Sequence, residues 1–399
     1  MRQPRTVSRL TVVAVGALTI AGALIGGSQV LGGSARASTA ASYAPTGAAP
    51  APAPAIPTPQ PSSVAVVRRE AGRDALWSVA PAAGATKLVD LSFRPQRIEA
   101  SPSGVRLALL PSTEGPRVFV YDIAAGTLRA LSLSARGVKH VDAITWLSHS
   151  RLLVSGSRAA TGGHALSDRL YVVNVATGKS AWFRKLQGTE PSVAAQAPRL
   201  VYVGLSDAGP DPNLPGTRLV SEKLLSLRLV GGATPRVIAR DRVAAGLDMR
   251  AFRDPRVSPD GRSVISSTTR SDVGVTYSLR SVAAGKLVFS KNTQLAGRDA
   301  TAWDAQSARV AFWGMPSLAG TPATRIYVYD MAADKLTSVG PYADRTATGL
   351  SWAPDGSGLA YTLSAFGSAV DRARLWIVDP ATPAAAQVLG AGSLPAWLP

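Results

Sequence analysis

One unit recurs seven times along this chain, and that repetition constrains the fold more than any composition figure. Each copy is a short apolar strand, a turn rich in Pro, Ser, Asp and Gly, a β-rich run usually headed by Arg, and a second β run that often closes on Asp or Asn. The clearest turns are Ala100-Ser101-Pro102-Ser103-Gly104, Val257-Ser258-Pro259-Asp260-Gly261 and Trp352-Ala353-Pro354-Asp355-Gly356. Aligned on the residue before the turn, the copies fall at Ala100, Trp146, Ala195, Val257, Trp303, Trp352 and Trp397. The intervals are 46, 49, 62, 46, 49 and 45 residues. Four-stranded repeats of this period are the signature of β-propeller blades.

The local chemistry supports the unit. Pro presets φ at the second turn position, Asp or Ser bonds nearby backbone, and Gly takes the left-handed conformation that re-aims the chain. Second strands open at Arg106, Arg151, Arg199, Arg262 and Arg309. Third strands run Arg117–Asp122, Arg169–Asn174, Arg325–Asp330 and Arg374–Asp379, rich in Val, Ile, Tyr and Trp as a buried pleated surface requires.

The ends of the repeat region complement each other. Residues 63–92 supply a second, third and fourth strand but no first, and Leu394–Pro399 reads as a first strand with nothing after it. A C-terminal strand that completes the N-terminal blade removes two open sheet edges. The expected fold is therefore all-β, a seven-bladed β-propeller with N-/C-terminal strand closure over residues 63–399.

Two segments precede it. Residues 1–37 carry Arg2, Arg5 and Arg9 before an uncharged run over 10–35, then Ala35-Arg36-Ala37, a small-x-small cleavage pattern. This reads as a secretory signal, or as an uncleaved membrane anchor formed by residues 10–35. In both cases the basic flank stays inside and the propeller is exported, secreted or held at the cell envelope. Residues 38–62, with Pro at 45, 50, 52, 54, 57, 59 and 61, read as a Pro/Ala-rich disordered linker, a semi-rigid spacer.

Composition narrows the partners. The net charge is +18, and Arg outnumbers Lys 35 to 8. A positive field attracts anionic cell-wall or membrane polymers. No basic run interleaves with aromatics, which argues against nucleic acid. The chain has no cysteine, which removes lipobox anchoring and thiolate metal sites. A monomer is expected.

Catalytic motifs are scarce. No Gly-x-Ser-x-Gly elbow is present. The three histidines, His140, His149 and His164, fall within one blade, two of them flanking a strand, which does not suit a metal centre. Asp260-Gly261 and Asp355-Gly356 each supply one carboxylate and read as turns rather than calcium loops. No cofactor or metal is expected.

The ring itself remains. Charged side chains gather where the innermost strands begin: Arg97, Glu99, Asp142, Asp254, Arg256 and Asp299, with Asp142 and Asp299 at equivalent positions. They read either as a polar binding rim over the channel or as groups that pair with one another. The longest repeat carries an insertion at 205–221, expected as a loop leaning over that rim.

The Ser-Pro-Asp-Gly turn, the Arg-headed strand and the aromatic strand ending in Asp resemble TolB-like propeller repeats, a WD-type architecture. The same repeat occurs in propellers of prolyl oligopeptidase-type enzymes and is similar to propellers of actinobacterial envelope lipoproteins. The count of seven blades departs from the six of TolB, and neither its α/β domain, the peptidases' hydrolase domain nor a lipid-bearing cysteine has a counterpart in these residues. The resemblance implies the propeller fold and an exported compartment, and the reading taken from there is an exported, non-enzymatic binding or scaffold module with an envelope protein or an anionic cell-wall or membrane polymer as partner. The alternative is a secreted propeller enzyme, a lyase or glycosidase, with Asp142, Asp254 and Asp299 as acid and base.

Overall fold

The computed structural model describes residues 63–398 except 114, 159–167, 213–217, 245–249, 271–273, 295–300, 318–321 and 366–371. The signal or anchor expected over 1–37, its uncharged run at 10–35 and the linker expected over 38–62 lie outside the described residues, as do Asp299 and His164. No described helix is long and apolar enough to cross a membrane.

Seven four-stranded antiparallel sheets form a ring. Blade 1 contains Val64–Glu70, Arg73–Ala80 and Gly84–Leu91, and blade 2 runs from Pro95–Ala100 to Thr127–Ser132. Blade 3 spans His140–Ser148 to Ser180–Gln187, and blade 4 spans Thr189–Val193 to Arg236–Ala244. Blades 5, 6 and 7 begin at Arg250–Val257, Thr301–Trp303 and Arg345–Trp352. Each leads outward, in sequence order, from its innermost strand.

The clasp is present. Ser393–Trp397 is the innermost strand of blade 1, pairing Val64 with Trp397, Ala65 with Ala396 and Val67 with Ser393. The Leu398 N–H donates to the Ser63 carbonyl at 2.9 Å. Gly392, at φ +152°, brings the chain in under Val66, whose Cγ2 would lie 2.8 Å from any Cβ placed there.

Second strands are continuous apolar runs because both faces of each sheet are covered. In Arg106–Pro111, Leu107 and Leu109 pack toward blade 1, among Leu76, Leu91 and Ala396. Ala108 and Leu110 pack toward blade 3, among Ile144, Leu152 and Val154. The turns close as the repeat dictates: Gly104, Gly261 and Gly356 have φ of 67°, 73° and 74°. The degenerate turn of blade 6 places Ser307 in the same left-handed region at 62°.

Three of the aligned tryptophans join neighbouring blades. Trp146 Nε1 donates to the Glu99 carbonyl at 3.0 Å, Trp303 Nε1 to Arg256 at 2.9 Å, and Trp352 Nε1 to Ala302 at 3.0 Å. Each indole thus satisfies a carbonyl on the innermost strand of the preceding blade. Trp397 Nε1 is buried without a partner.

The insertion differs from expectation. It is not mainly a loop: strands Arg199–Pro210 and Arg218–Arg228 extend through it, paired from Arg199↔Arg228 out to Pro210↔Arg218. Arg236–Ala244 pairs alongside as far as Leu219↔Ala244. The Asp-Ala-Gly-Pro stretch reads as a loop, but a bulge between Asp207 and Gly209 absorbs the irregularity and the ladder continues.

Candidate functional site

Arg97 and Glu99 are two apart on the innermost strand of blade 2, and Asp254 and Arg256 are two apart on that of blade 5. Alternation sets Arg97 and Glu99 on one side of their strand, a bulge re-aims Asp254 beside Arg256 on the other, and the structure brings the four together. Glu99 Oε1 lies 2.5 Å from Arg97 Nη2 and 2.8 Å from Arg256 Nη1. Asp254 Oδ1 lies 3.2 Å from Arg256 Nε and 3.7 Å from Arg97 Nη1. Blades 2 and 5 are separated by two blades one way round the ring and three the other, so these contacts span the central channel. The side chains are only 12–19% exposed.

The strand of blade 5 is reshaped to allow this. Its register shifts between Arg253 and Arg256, and Asp254 adopts a left-handed φ of 45°. The Asp254 N–H then donates to Glu190 Oε2 on blade 4 at 2.5 Å. Glu190 is itself left-handed, at 51°. Two non-glycine residues in that region store strain that the surrounding contacts must hold. Asp254 Oδ2 is buried and has no hydrogen-bond partner.

Asp142 lies on blade 3 with its Oδ1 3.2 Å from His140 Nε2. Two acidic residues were missed in the sequence. Glu190 falls one position out of line with Asp142 when the repeats are aligned, because the left-handed bulge consumes a residue. Glu222 sits directly after the insertion, 1% exposed, and its Oε2 accepts the N–H groups of Ala251 and Phe252 at 3.0 Å. That bond ties the base of the blade 4 ribbon to the start of the innermost strand of blade 5.

A cavity of about 820 Å³ opens at the other end of the channel, where the innermost strands finish. All seven blades line it, through Trp146, Val193, Pro259, Trp303, Leu350 and Leu394 among others. It reaches Glu99 and Arg256 but not Arg97 or Asp254. The expected opening where the strands begin is thus crossed by long ionic side chains, and the space lies where Ala, Pro and Ser leave room.

Chemically, each of Glu99 and Asp254 faces two guanidiniums. Both arginines converge on one oxygen of each carboxylate, Oε1 of Glu99 and Oδ1 of Asp254, an arrangement that suits a structural ionic layer across the channel. Among the described residues no three His, Asp or Glu form a group able to hold a metal.

No protein-family model matches this chain, and no curated protein does. Solved structures do match. A puromycin hydrolase complexed with PGG aligns at TM-score 0.52 and 16% identity, over 84% of this chain and 54% of its own. TolB from Acinetobacter baumannii aligns at 0.43 and 13%, over 85% and 83%. The β-propeller domain of Myceliophteria thermophila Swd1 aligns at 0.47 and 10%, over 77% and 92%. The chain spans about half the length of the puromycin hydrolase. The protein is a seven-bladed β-propeller, with TolB and WD40-type propellers among its structural neighbours. Likeness at these identities is a likeness of fold.

Proposed function

We propose that this protein is an exported, non-enzymatic binding or scaffolding module of the cell envelope, which captures a partner at the channel cavity. One observation carries the reading: a cavity of about 820 Å³, walled by all seven blades and lined by both polar and apolar groups, ends on a layer of mutually neutralised charge. Tryptophan and aliphatic side chains interleaved with hydroxyls, His149 and Arg256 suit capture of a partner's side chains or an extended segment. The expected partner is an envelope protein. Binding at the rim residues Arg97, Glu99, Asp142, Asp254, Arg256 and Asp299 follows only if the ionic layer opens.

The enzyme alternative needs two carboxyls roughly 5–10 Å apart with one free to give up a proton. Asp254 is held between Arg97 and Arg256, which weighs against it.

A photo-crosslinking residue at Pro102 or His149, both lining the cavity, tests the proposal in the native cell. Capture of one envelope protein from both positions, absent with the crosslinker at exposed Val230, supports it. Glycoside or polyuronate cleavage by wild-type protein that disappears in Asp254→Asn would sink it. Replacing residues 206–219 by a Gly turn should leave folding intact and leave this capture unchanged, because the insertion projects from the face where the innermost strands begin and the cavity lies at the other. Export has its own test: a mature chain beginning at Ser38 marks a cleaved signal, and an intact chain found only in membranes marks the anchor.

A further inference from the structure

The repeat sets an Arg opposite an Asp or Asn, and one blade departs from that pattern. Where the second strand opens on Arg, the register sets it opposite the last residue of the third strand. Arg106 faces Asp122, Arg151 faces Asn174 and Arg309 faces Asp330. In blade 2 this is an ion pair, Arg106 Nε to Asp122 Oδ2 at 2.9 Å. In blade 4 the same register sets Arg199 opposite Arg228. Arg236, on the outermost strand, faces Ser226 and so shares the sheet face of Arg228 two residues away.

Like charges directly opposite one another in a sheet destabilise it. Arg199 finds a hydroxyl instead of a carboxylate, its Nη1 donating to Ser226 Oγ at 3.2 Å. Burial first, and then the neighbouring charges of Arg228 and Arg236, lower its pKa. No described carboxylate pairs with any of the three. Arg228 and Arg236 are exposed, so the group is open to solvent.

The facing wall adds a second observation. This side of blade 4 looks at blade 5, since Val201 and Ile238 share a core cluster with Val257, Val264 and Val282. The Gly261 turn touches Arg199: a Cβ there would lie 3.3 Å from its Cδ and Nε. Arg280 faces Val264 in register and therefore lies on this wall, and its Nε is buried without a hydrogen-bond partner. The acid of that turn, Asp260, is occupied, its Oδ1 accepting from Ser258 Oγ at 2.5 Å and from the Arg262 N–H at 3.0 Å.

We propose that the face of blade 4 turned toward blade 5 binds a phosphoryl anion, with Arg199, Arg228 and Arg236 as its ligands. Guanidinium forks match the oxygens of a phosphate in pairs, and three converging cations call for more than the single charge of a carboxylate. The phosphoryl group could be carried by a soluble polyphosphate or by a membrane headgroup. The site lies outside the channel and does not depend on the function proposed above.

Arg228→Asp is the decisive variant, because it rebuilds the Arg–Asp pair that blade 2 already holds and so preserves the fold. Tripolyphosphate is titrated against wild type, Arg228→Asp and Arg73→Asp by calorimetry, with vesicles of phosphatidylglycerol as the second probe. Arg73 is exposed on blade 1 and makes the same change of charge. The expected result is a loss of affinity of about tenfold or more in Arg228→Asp and little change in Arg73→Asp. The exposed substitution Arg236→Gln should weaken binding in the same direction. Binding of tripolyphosphate assigns a soluble anion, and binding of vesicles alone assigns a headgroup. Equal losses in Arg228→Asp and Arg73→Asp, or no binding of either probe by wild type, overturn the proposal.

Discussion

Arg256 of blade 5 holds Glu99 of blade 2 across the channel, Nη1 to Oε1 at 2.8 Å, over a sequence separation of 157 residues. The same glutamate accepts from Arg97 on its own strand. Both ends of the contact are also anchored through the backbone: the Glu99 carbonyl receives Trp146 and the Arg256 carbonyl receives Trp303. The ionic layer is therefore fixed to two blades on each side of the ring.

Breaking that layer on one side should be costly. Glu99→Gln leaves two buried guanidiniums facing one remaining carboxylate, and a loss of about 3–5 kcal/mol is expected. The double variant Glu99→Gln/Arg256→Gln should be less damaging than the sum of its singles, with a coupling of roughly 0.5–3 kcal/mol. Urea unfolding measures both. Additive single effects below about 0.5 kcal/mol would show that the cross-channel contact contributes nothing.

Removing residues 393–399 should unfold or aggregate the propeller. The deletion takes away Trp397 and Leu398, 8% and 1% exposed, and uncovers the edge of Val64–Glu70. Burial of two such side chains is worth about 3–6 kcal/mol, and the exposed edge templates pairing with other chains. A truncated protein that melts with the full-length chain and stays monomeric in light scattering would contradict the clasp.

The tryptophans should separate into two groups. Trp303→Phe and Trp352→Phe each remove a donor from a carbonyl on the preceding blade, at a cost of about 1–3 kcal/mol. Trp352 also carries the Arg309 guanidinium 4.7 Å from its ring centre, a contact that Phe weakens. Trp397→Phe loses a donor that had no partner, so its effect should be smaller. Thermal melts of the three variants give the order directly.

Alkali should destabilise the fold through tyrosines. Burial holds Tyr202 up at about 12, pushes Tyr277 well above its ordinary value, and raises Tyr361, which also shares a 2.5 Å hydroxyl contact with Tyr342. These groups favour the protonated form more when folded. Their contribution is complete below about pH 10, where unfolded tyrosine titrates, and is lost as the pH rises above it toward the folded values. Absorbance at 295 nm should show tyrosines that resist ionisation until the protein unfolds. Complete titration near pH 10 with the fold intact would refute this.

Much of the architecture was legible because its determinants are near neighbours. Ser258-Pro259-Asp260-Gly261 makes its turn from its own atoms, with Gly261 N–H bonding back to the Ser258 carbonyl at 2.8 Å. The strands announce themselves through β-branched and aromatic runs, and the missing first strand of blade 1 is supplied by Ser393–Trp397. The insertion was misread because Pro and Gly are turn formers in isolation, while here a bulge keeps Asp207 and Gly209 in a ladder.

The candidate residues divide the same way. Counting back from the aligned pre-turn residue picked out Arg97, Glu99, Asp254 and Arg256 on the innermost strands, and the sequence by itself settled the seven-fold period, the closure and that inventory of charge. Only the tertiary structure decided that Arg256 bonds Glu99 rather than an incoming ligand, that the cavity opens at the opposite end, and that Arg199 meets Arg228. Those outcomes depend on side-chain reach across the ring, on the left-handed bulge at Asp254 and on cross-strand register. Each is set by residues far apart in the chain, so no local pattern encodes it.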